Sequence, residues 1–160
     1  STTVPCGGRD NLRLGEEFIT KAILAHLSRK GWRILAFDYP QSGTGISLQP
    51  DDRPDYHSKN LGMVTPDVIA MKGEILLILE NKPVFYEPDV EKLCAVKAGQ
   101  YNDSICSVFG IKYFTIKVGI GIGDSPRERK KALLCSNAVD ALLWVDRHGH
   151  VHEAHVTFDL

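Results

Sequence analysis

The residues with the most potential for chemistry lie in segment 65–82, TPDVIAMKGEILLILENK. Asp67 follows a proline, and after twelve mostly apolar residues come a second acid and a lysine, Glu80 and Lys82. Hard divalent cations prefer carboxylate oxygens, and an ammonium group can orient an attacking water or stabilise negative charge on a phosphate. Two acids and a lysine therefore suit metal-assisted hydrolysis of a phosphodiester, provided that the chain brings them together.

A β-hairpin would bring them together. Segments 64–71 and 74–81 are rich in Val, Ile and Leu and predict two strands, with a two-residue turn at Lys72-Gly73. That turn pairs Asp67 with Ile78 and makes Asp67 and Glu80 diagonal neighbours on one face, roughly 7–8 Å apart at Cα. A slip of one residue would move Asp67 to the opposite face.

Each of these residues also has an ordinary interpretation. Glu80 and Lys82 could form a surface ion pair where a strand leaves the core, and Asp67 could be a turn residue after proline. Glu16 is less ordinary, because it falls on the apolar stripe of a helix predicted from Asp10 or Asn11 to about Lys30. It is either a fourth member of the site or a residue that reaches water where the helix frays.

The remaining pattern predicts an α/β sandwich with a central mixed sheet. After the first helix we expect a strand over 32–38, a long loop over 39–62, and the hairpin. One long helix follows, over 88–110, and then a strand over 113–122 and a helix over 126–136. Segments 141–145 and 151–156 predict a closing hairpin.

Length and composition indicate a single domain over residues 1–160. A chain of 160 residues with 43% hydrophobic residues can bury a core without the help of disulfide bonds or a structural metal. The first residue is Ser, which leaves open a trimmed start or a domain excised from a longer protein. The sequence contains no membrane-span pattern, and its four cysteines lack zinc-site spacing, so we expect a cytoplasmic protein with reduced thiols.

The formal net charge of −1 does not favour a bulk electrostatic grip on nucleic acid. Local basic groups would have to supply phosphate contacts, and the candidates are segment 127–131 with Lys92 and Lys97, although such clusters are commonly solvated helix faces.

The glycines of segment 118–124, VGIGIGD, lack the spacing of a nucleotide-binding turn and favour close backbone packing. The histidines of the last hairpin, within 148–155, fit a solvated edge or an interface better than a metal site.

The acid after proline, the twelve-residue spacing and Glu80-Asn81-Lys82 resemble the signature of the PD-(D/E)XK nuclease superfamily. The order helix, strand, hairpin, helix and strand over 10–122 is similar to the αβββαβ core of these restriction-endonuclease-like proteins. The first helix, with Gly15-Glu16, resembles that of archaeal Holliday-junction resolvases and related small nucleases. In some members the helix acid lies nearer the helix centre.

The resemblance implies roles for particular residues. Asp67 and Glu80 would be ligands of Mg²⁺ or Mn²⁺, with the backbone carbonyl of Asn81 as a further ligand and Glu16 as an extra acid. Lys82 would be the catalytic lysine.

Substrate contacts are also implied. Gln100 falls on the following helix, where some members have a polar residue near the site. The 39–62 loop would lie beside the site and contact DNA, with Arg53 as a candidate contact.

The sequence thus supports a Mg²⁺-dependent DNA endonuclease of the restriction, resolvase or repair type. Cleavage of both strands by one site per chain would suggest a homodimer. The alternative is a non-catalytic module, for binding nucleic acid or protein, that retains the nuclease fold.

Overall fold

The computed structural model of the protein describes residues 14–52 and 62–160. Six strands form one mixed sheet: β1 Arg33–Phe37, β2 Val68–Lys72, β3 Ile75–Lys82, β4 Thr115–Gly123, β5 Ala141–Val145 and β6 Val151–Val156. The helices are α1 Glu16–Arg29, α2 Pro88–Lys97, α3 Asn102–Phe109 and α4 Pro126–Leu133, with a short 3₁₀ helix at Ser136–Ala138. These elements confirm the α/β class and the mixed sheet flanked by helices.

The strands lie in the sheet in chain order, from β1 to β6. β1, β2 and β3 form an antiparallel meander, β4 and β5 run parallel to β3, and β6 returns antiparallel. The helices α2 and α3 make the crossover between β3 and β4, as a parallel pair of strands requires. The chain therefore passes from the end of β3 into α2, and α2 covers one face of the sheet.

The two faces of the sheet carry separate apolar clusters, because successive side chains of a strand point to opposite sides. On one face Leu77 and Leu79 of β3 pack with Ile19, Ile23 and Leu27 of α1. On the other face Leu76 and Ile78 pack with apolar residues of α2, α3 and α4. The result is a helix, sheet, helix sandwich.

The first helix begins later than the capping residues Asp10 and Asn11 predicted. Gly15 is extended, with φ −76° and ψ 160°, so the helix begins at Glu16, and the predicted start at Asp10 or Asn11 lies outside the described residues. The predicted end is confirmed, because Gly31 has a φ of +93°. Glu17 and Lys21, one helical turn apart, form a surface ion pair at 2.7 Å.

The prediction of a single helix over 88–110 is wrong. The segment forms two helices, α2 and α3, because Gly99 has a φ of +93°, which a continuing helix does not accommodate. The helix predicted over 126–136 is also shorter and ends at Leu133. The two strands of the closing hairpin have the predicted bounds.

The predicted hairpin turn is displaced by one residue. Lys72 pairs with Ile75, so the two turn residues are Gly73 and Glu74 rather than Lys72 and Gly73. Gly73 supplies the positive φ, +60°, at the first turn position, where two-residue hairpins often need glycine. The partner of each β2 residue consequently moves by two along β3, which preserves the face of every side chain.

Two further features concern the described residues as a whole. None of their helices is long and apolar enough to cross a membrane. In the same ranges Cys94, Cys106 and Cys135 are unpaired thiols.

Candidate active site

Asp67 and Glu80 face each other across the open end of the β2–β3 hairpin. Val68 pairs with Leu79, so the register carried one residue further sets Asp67 opposite Glu80, not opposite Ile78 as the sequence predicted. The Asp67 N–H donates to Glu80 Oε2 at 3.2 Å and to the Leu79 carbonyl at 3.1 Å. Both carboxylates are buried, with 6% and 2% of their residues exposed.

Asn81, between Glu80 and Lys82, connects the pair to the other face of the sheet. Its N–H donates to Asp67 Oδ2 at 2.7 Å and fixes that carboxylate. Its side chain points the opposite way and donates to Thr20 Oγ1 of α1 at 3.2 Å. Asn81 is fully buried, so this bond anchors α1 against the end of β3.

The crossover helix α2 adds a third acid, Asp89, and a second lysine, Lys92. Lys92 Nζ donates to Glu80 Oε1 at 2.9 Å and lies 3.7 Å from Asp89 Oδ1. Asp89 Oδ2 lies 3.5 Å from Nζ of Lys82. The cluster therefore contains three buried carboxylates, those of Asp67, Glu80 and Asp89, and two partly exposed ammonium groups.

The sequence offered Lys92 only as a local basic group, and Asp89 was not identified. A signal for Asp89 exists in the chain, because it precedes Leu93 by four residues and Val96 by seven. An acid on the apolar stripe of a helix is the same pattern that singled out Glu16. The stripe alone does not say that Asp89 meets Lys82, since that contact depends on where α2 packs.

The electrostatics of the cluster are dominated by burial. Burial is the largest cause, followed by the charge of Glu80, and the pKa of Asp67 is raised to about 7. The Asn81 N–H and Lys82 lower this pKa by smaller amounts, and the charge of Glu16 raises it slightly. Burial also raises the pKa of Glu80, against the opposing effect of Lys92. The nearby positive charges therefore do not fully compensate the burial of the Asp67 and Glu80 carboxylates.

The two ammonium groups retain their protons. Burial lowers the pKa of Lys82, but the carboxylates of Asp89, Asp67 and Glu80 outweigh it and raise the pKa above its ordinary value. The pKa of Lys92 is raised in the same way, with burial opposed chiefly by Glu80. Both side chains are cations at neutral pH and therefore donate hydrogen bonds and stabilise negative charge.

Glu16 lies at the first turn of α1, which covers the opposite face of the sheet from Glu80. No hydrogen bond or ion pair within the described ranges joins it to Asp67, Glu80 or Lys82. Its charge nevertheless contributes to raising the pKa values of Asp67 and Lys82. Glu16 is thus an electrostatic neighbour of the cluster.

Asp67 and Glu80 have the donor chemistry for a hard divalent cation. Within residues 14–52 and 62–160, no three His, Cys, Asp or Glu side chains are grouped so as to hold a metal ion. Mg²⁺ commonly needs only one or two protein carboxylates, with waters and substrate oxygens completing its shell. The raised pKa of Asp67 arises first from burial and then from the charge of Glu80, and a positive charge near the two carboxylates would lower it.

Gln100 does not join the cluster. It lies in the break between α2 and α3, three residues beyond the end of α2 and eleven residues after Asp89. Its carbonyl instead accepts a hydrogen bond from the Asp51 N–H at 2.7 Å. The side chain is exposed.

The 39–62 segment touches both the hairpin and α3 in its described part. Just before it, the Asp38 N–H donates to the Asp67 carbonyl at 2.9 Å, so the segment starts beside the candidate site. Further along, Asp51 Oδ1 accepts from the Asp103 N–H at 2.9 Å, which fixes the segment to the start of α3. Arg53 lies outside the described residues.

Three histidines of the closing hairpin, His148, His150 and His152, lie on the surface around Asp146. His155 is half-buried, and its Nε2 has no hydrogen-bond partner among the described residues. His152 Nε2 is 3.0 Å and His150 Nδ1 is 3.5 Å from Asp146 Oδ2, and both histidine side chains are more than half exposed. The hydrogen bond from His152 is the largest cause that lowers the pKa of Asp146. This arrangement agrees with the solvated edge expected from the sequence.

Comparisons with protein-family models, with curated proteins and with solved structures find no match to the chain. The resemblance in the sequence and the geometry of the cluster are therefore the basis for a function.

Proposed function

We propose that the chain is a Mg²⁺-dependent endodeoxyribonuclease with a restriction-endonuclease-like fold of the PD-(D/E)XK superfamily. The observation that carries the proposal is the pairing of Asp67 with Glu80 at the open end of one hairpin. Lys82 follows two residues later on the same face. A chance combination of a proline, an acid and an E-x-K triplet would have no reason to converge in this way.

The order of elements supports the proposed fold. The sequence α1, β1, β2, β3, α2 with α3, then β4 resembles the αβββαβ core, with the crossover helix divided in two. β4 runs parallel to β3, and the helices lie on both faces of the sheet.

In the proposed mechanism Asp67 and Glu80 would hold the cation, with the Asn81 carbonyl and Glu16 as further candidate ligands. When bound, the cation lowers the pKa of a water molecule and neutralises charge that develops on the phosphate. In the metal-free protein burial lowers the pKa of Lys82, but the carboxylates of Asp89, Asp67 and Glu80 outweigh it and raise the pKa. As a cation Lys82 would donate to a phosphate oxygen or orient the attacking water. Asp89 holds the ammonium of Lys82 in place.

One site of this kind cuts one strand at a time. Double-strand cleavage by this chain would therefore involve two copies, and a homodimer on DNA is part of the proposal.

Cleavage assays test the proposal. Supercoiled plasmid, linear duplex, branched and single-stranded DNA are incubated with Mg²⁺ or Mn²⁺ and wild type, Asp67→Ala or Lys82→Ala. We expect cutting by wild type, background cutting by Asp67→Ala, and a loss of at least about a hundredfold for Lys82→Ala. Lys21→Ala is the matched lysine control, because Lys21 is exposed and contacts Glu17 and the ring of Tyr39, not the residues of the cluster.

Unchanged cutting by both site variants would refute the assignment of the site. If the wild type cuts none of the substrates, the alternative of a non-catalytic binding module is favoured. Circular dichroism of each variant shows whether lost cutting reflects lost folding.

A further inference from the structure

Lys92 neutralises the charge of a buried carboxylate, which a bound cation would otherwise do. Its ammonium contacts Glu80 Oε1 at 2.9 Å and Asp89 Oδ1 at 3.7 Å. Glu80 and Asp89 are almost completely buried, with 2% and 4% of their side chains exposed. A buried carboxylate without a positive partner is costly, so Lys92 is the internal counter-ion of Glu80 in the free protein.

The side chain of Lys92 is able to leave this position. It is 36% exposed, whereas the carboxylates that it contacts are buried. Its ammonium is carried on a flexible four-carbon stem and hydrates strongly. When Lys92 leaves, Asp89 retains a positive partner, because Lys82 lies 3.5 Å from its other oxygen. Only Glu80 loses its counter-ion, and Glu80 is a proposed ligand of the divalent cation.

We propose that Lys92 is a displaceable counter-ion that neutralises Glu80 in the free protein and is released when a divalent cation binds at Asp67 and Glu80. The released ammonium then contacts a phosphate of the nucleic acid. This inference rests on the proposed function and adds an order of events: the cation binds first and makes Lys92 available to the substrate. It predicts that Lys92 opposes cation binding and favours DNA binding only when the cation is present.

Calorimetric titration with Mn²⁺ tests the displacement. Lys92→Gln removes the charge but keeps a donor for Glu80, and we expect it to bind Mn²⁺ about tenfold more tightly than wild type. Lys92→Arg keeps the charge and is expected to bind Mn²⁺ no more tightly than wild type. Lys97→Gln is the matched control on the same helix, because Lys97 also pairs with a buried acid, Asp140, at 2.7 Å. Its Mn²⁺ affinity should equal that of wild type.

The outcomes separate the inference from the function on which it rests. If wild type binds Mn²⁺ and cuts DNA, but Lys92→Gln binds Mn²⁺ equally or more weakly, the displacement is refuted and the nuclease proposal stands. If neither protein binds Mn²⁺ and wild type cuts no DNA, both proposals fail. Thermal unfolding of each variant without metal identifies a loss of folding.

The contact with phosphate is tested by DNA binding in Ca²⁺, measured by fluorescence anisotropy of a labelled duplex at several salt concentrations. With Ca²⁺ present, Lys92→Gln should reduce the slope of log affinity against log salt by about one phosphate contact. In EDTA the two slopes should agree, because Lys92 is then held by Glu80. Equal slopes in both conditions would refute the phosphate contact.

Discussion

The buried carboxylate of Asp67 makes the stability of the metal-free protein depend on pH. Its pKa is raised from 3.8 to about 7, first by burial and then by the charge of Glu80. The substitution Asp67→Asn removes the titration but retains the shape of the side chain. Its amide oxygen can still accept the hydrogen bond from the Asn81 N–H, so the hairpin keeps this contact.

The sign follows from proton binding. The unfolded chain loses the Asp67 proton near pH 4, whereas the folded protein retains it up to about pH 7. The contribution to stability is therefore fully present below pH 3.8 and is lost as the pH rises through about 7. With 1.36 kcal/mol per pKa unit, wild type should lose about 2–3 kcal/mol more than Asp67→Asn between pH 5 and pH 8.

Urea unfolding in EDTA at pH 5 and pH 8 measures this difference directly. Asp140, Asp146 and Glu153 have lowered pKa values, so their contributions are lost only in more acidic solution, below this window. Groups that do not interact with Asp67 are common to both proteins and cancel in the comparison, whereas Glu80 interacts with Asp67 and titrates with it as a pair. Equal changes in the free energy of unfolding for wild type and Asp67→Asn would refute the conclusion that burial raises the pKa of this carboxylate.

Two further predictions concern packing and a second buried acid. Gly119→Ala should cost about 1–3 kcal/mol in urea unfolding, because a Cβ would lie 2.9 Å from the carbonyl oxygen of Ala141. Gly15→Ala is its control, since nothing lies within 4 Å of that Cβ, and an equal loss in both would contradict the steric explanation. Asp140→Ala should cost about 2–4 kcal/mol, because the buried carboxylate accepts from Lys97 at 2.7 Å and from a backbone N–H of β4 at 3.0 Å. A change below about 0.5 kcal/mol in thermal or urea unfolding would show that this network is not stabilising.

The sequence alone indicated the order of the strands and the face on which the candidate residues lie. Both are local properties, because the two-residue period of a strand fixes which side chains point the same way. Asp67, Glu80 and Lys82 therefore share a face as predicted, even though the turn was placed one residue too early. The error changed a diagonal pair into a directly opposed pair and left the face unchanged.

The helix break at Gly99 marks one limit of the local pattern. Apolar periodicity continues across 88–110, and a single glycine does not by itself end a helix. The division became visible only because the backbone there has a positive φ and the chain turns into α3.

Only the tertiary structure decided the membership of the cluster. Asp89 and Lys92 meet the hairpin because the crossover from β3 to β4 lays α2 over the end of β3, a packing that no spacing in the chain specifies. The same packing leaves Gln100 at the far end of the helix, and the position of α1 on the opposite face leaves Glu16 as an electrostatic neighbour. Residue types and strand period indicate what chemistry is available, but the burial that raises the pKa of Asp67 arises only when helices cover both faces of the sheet.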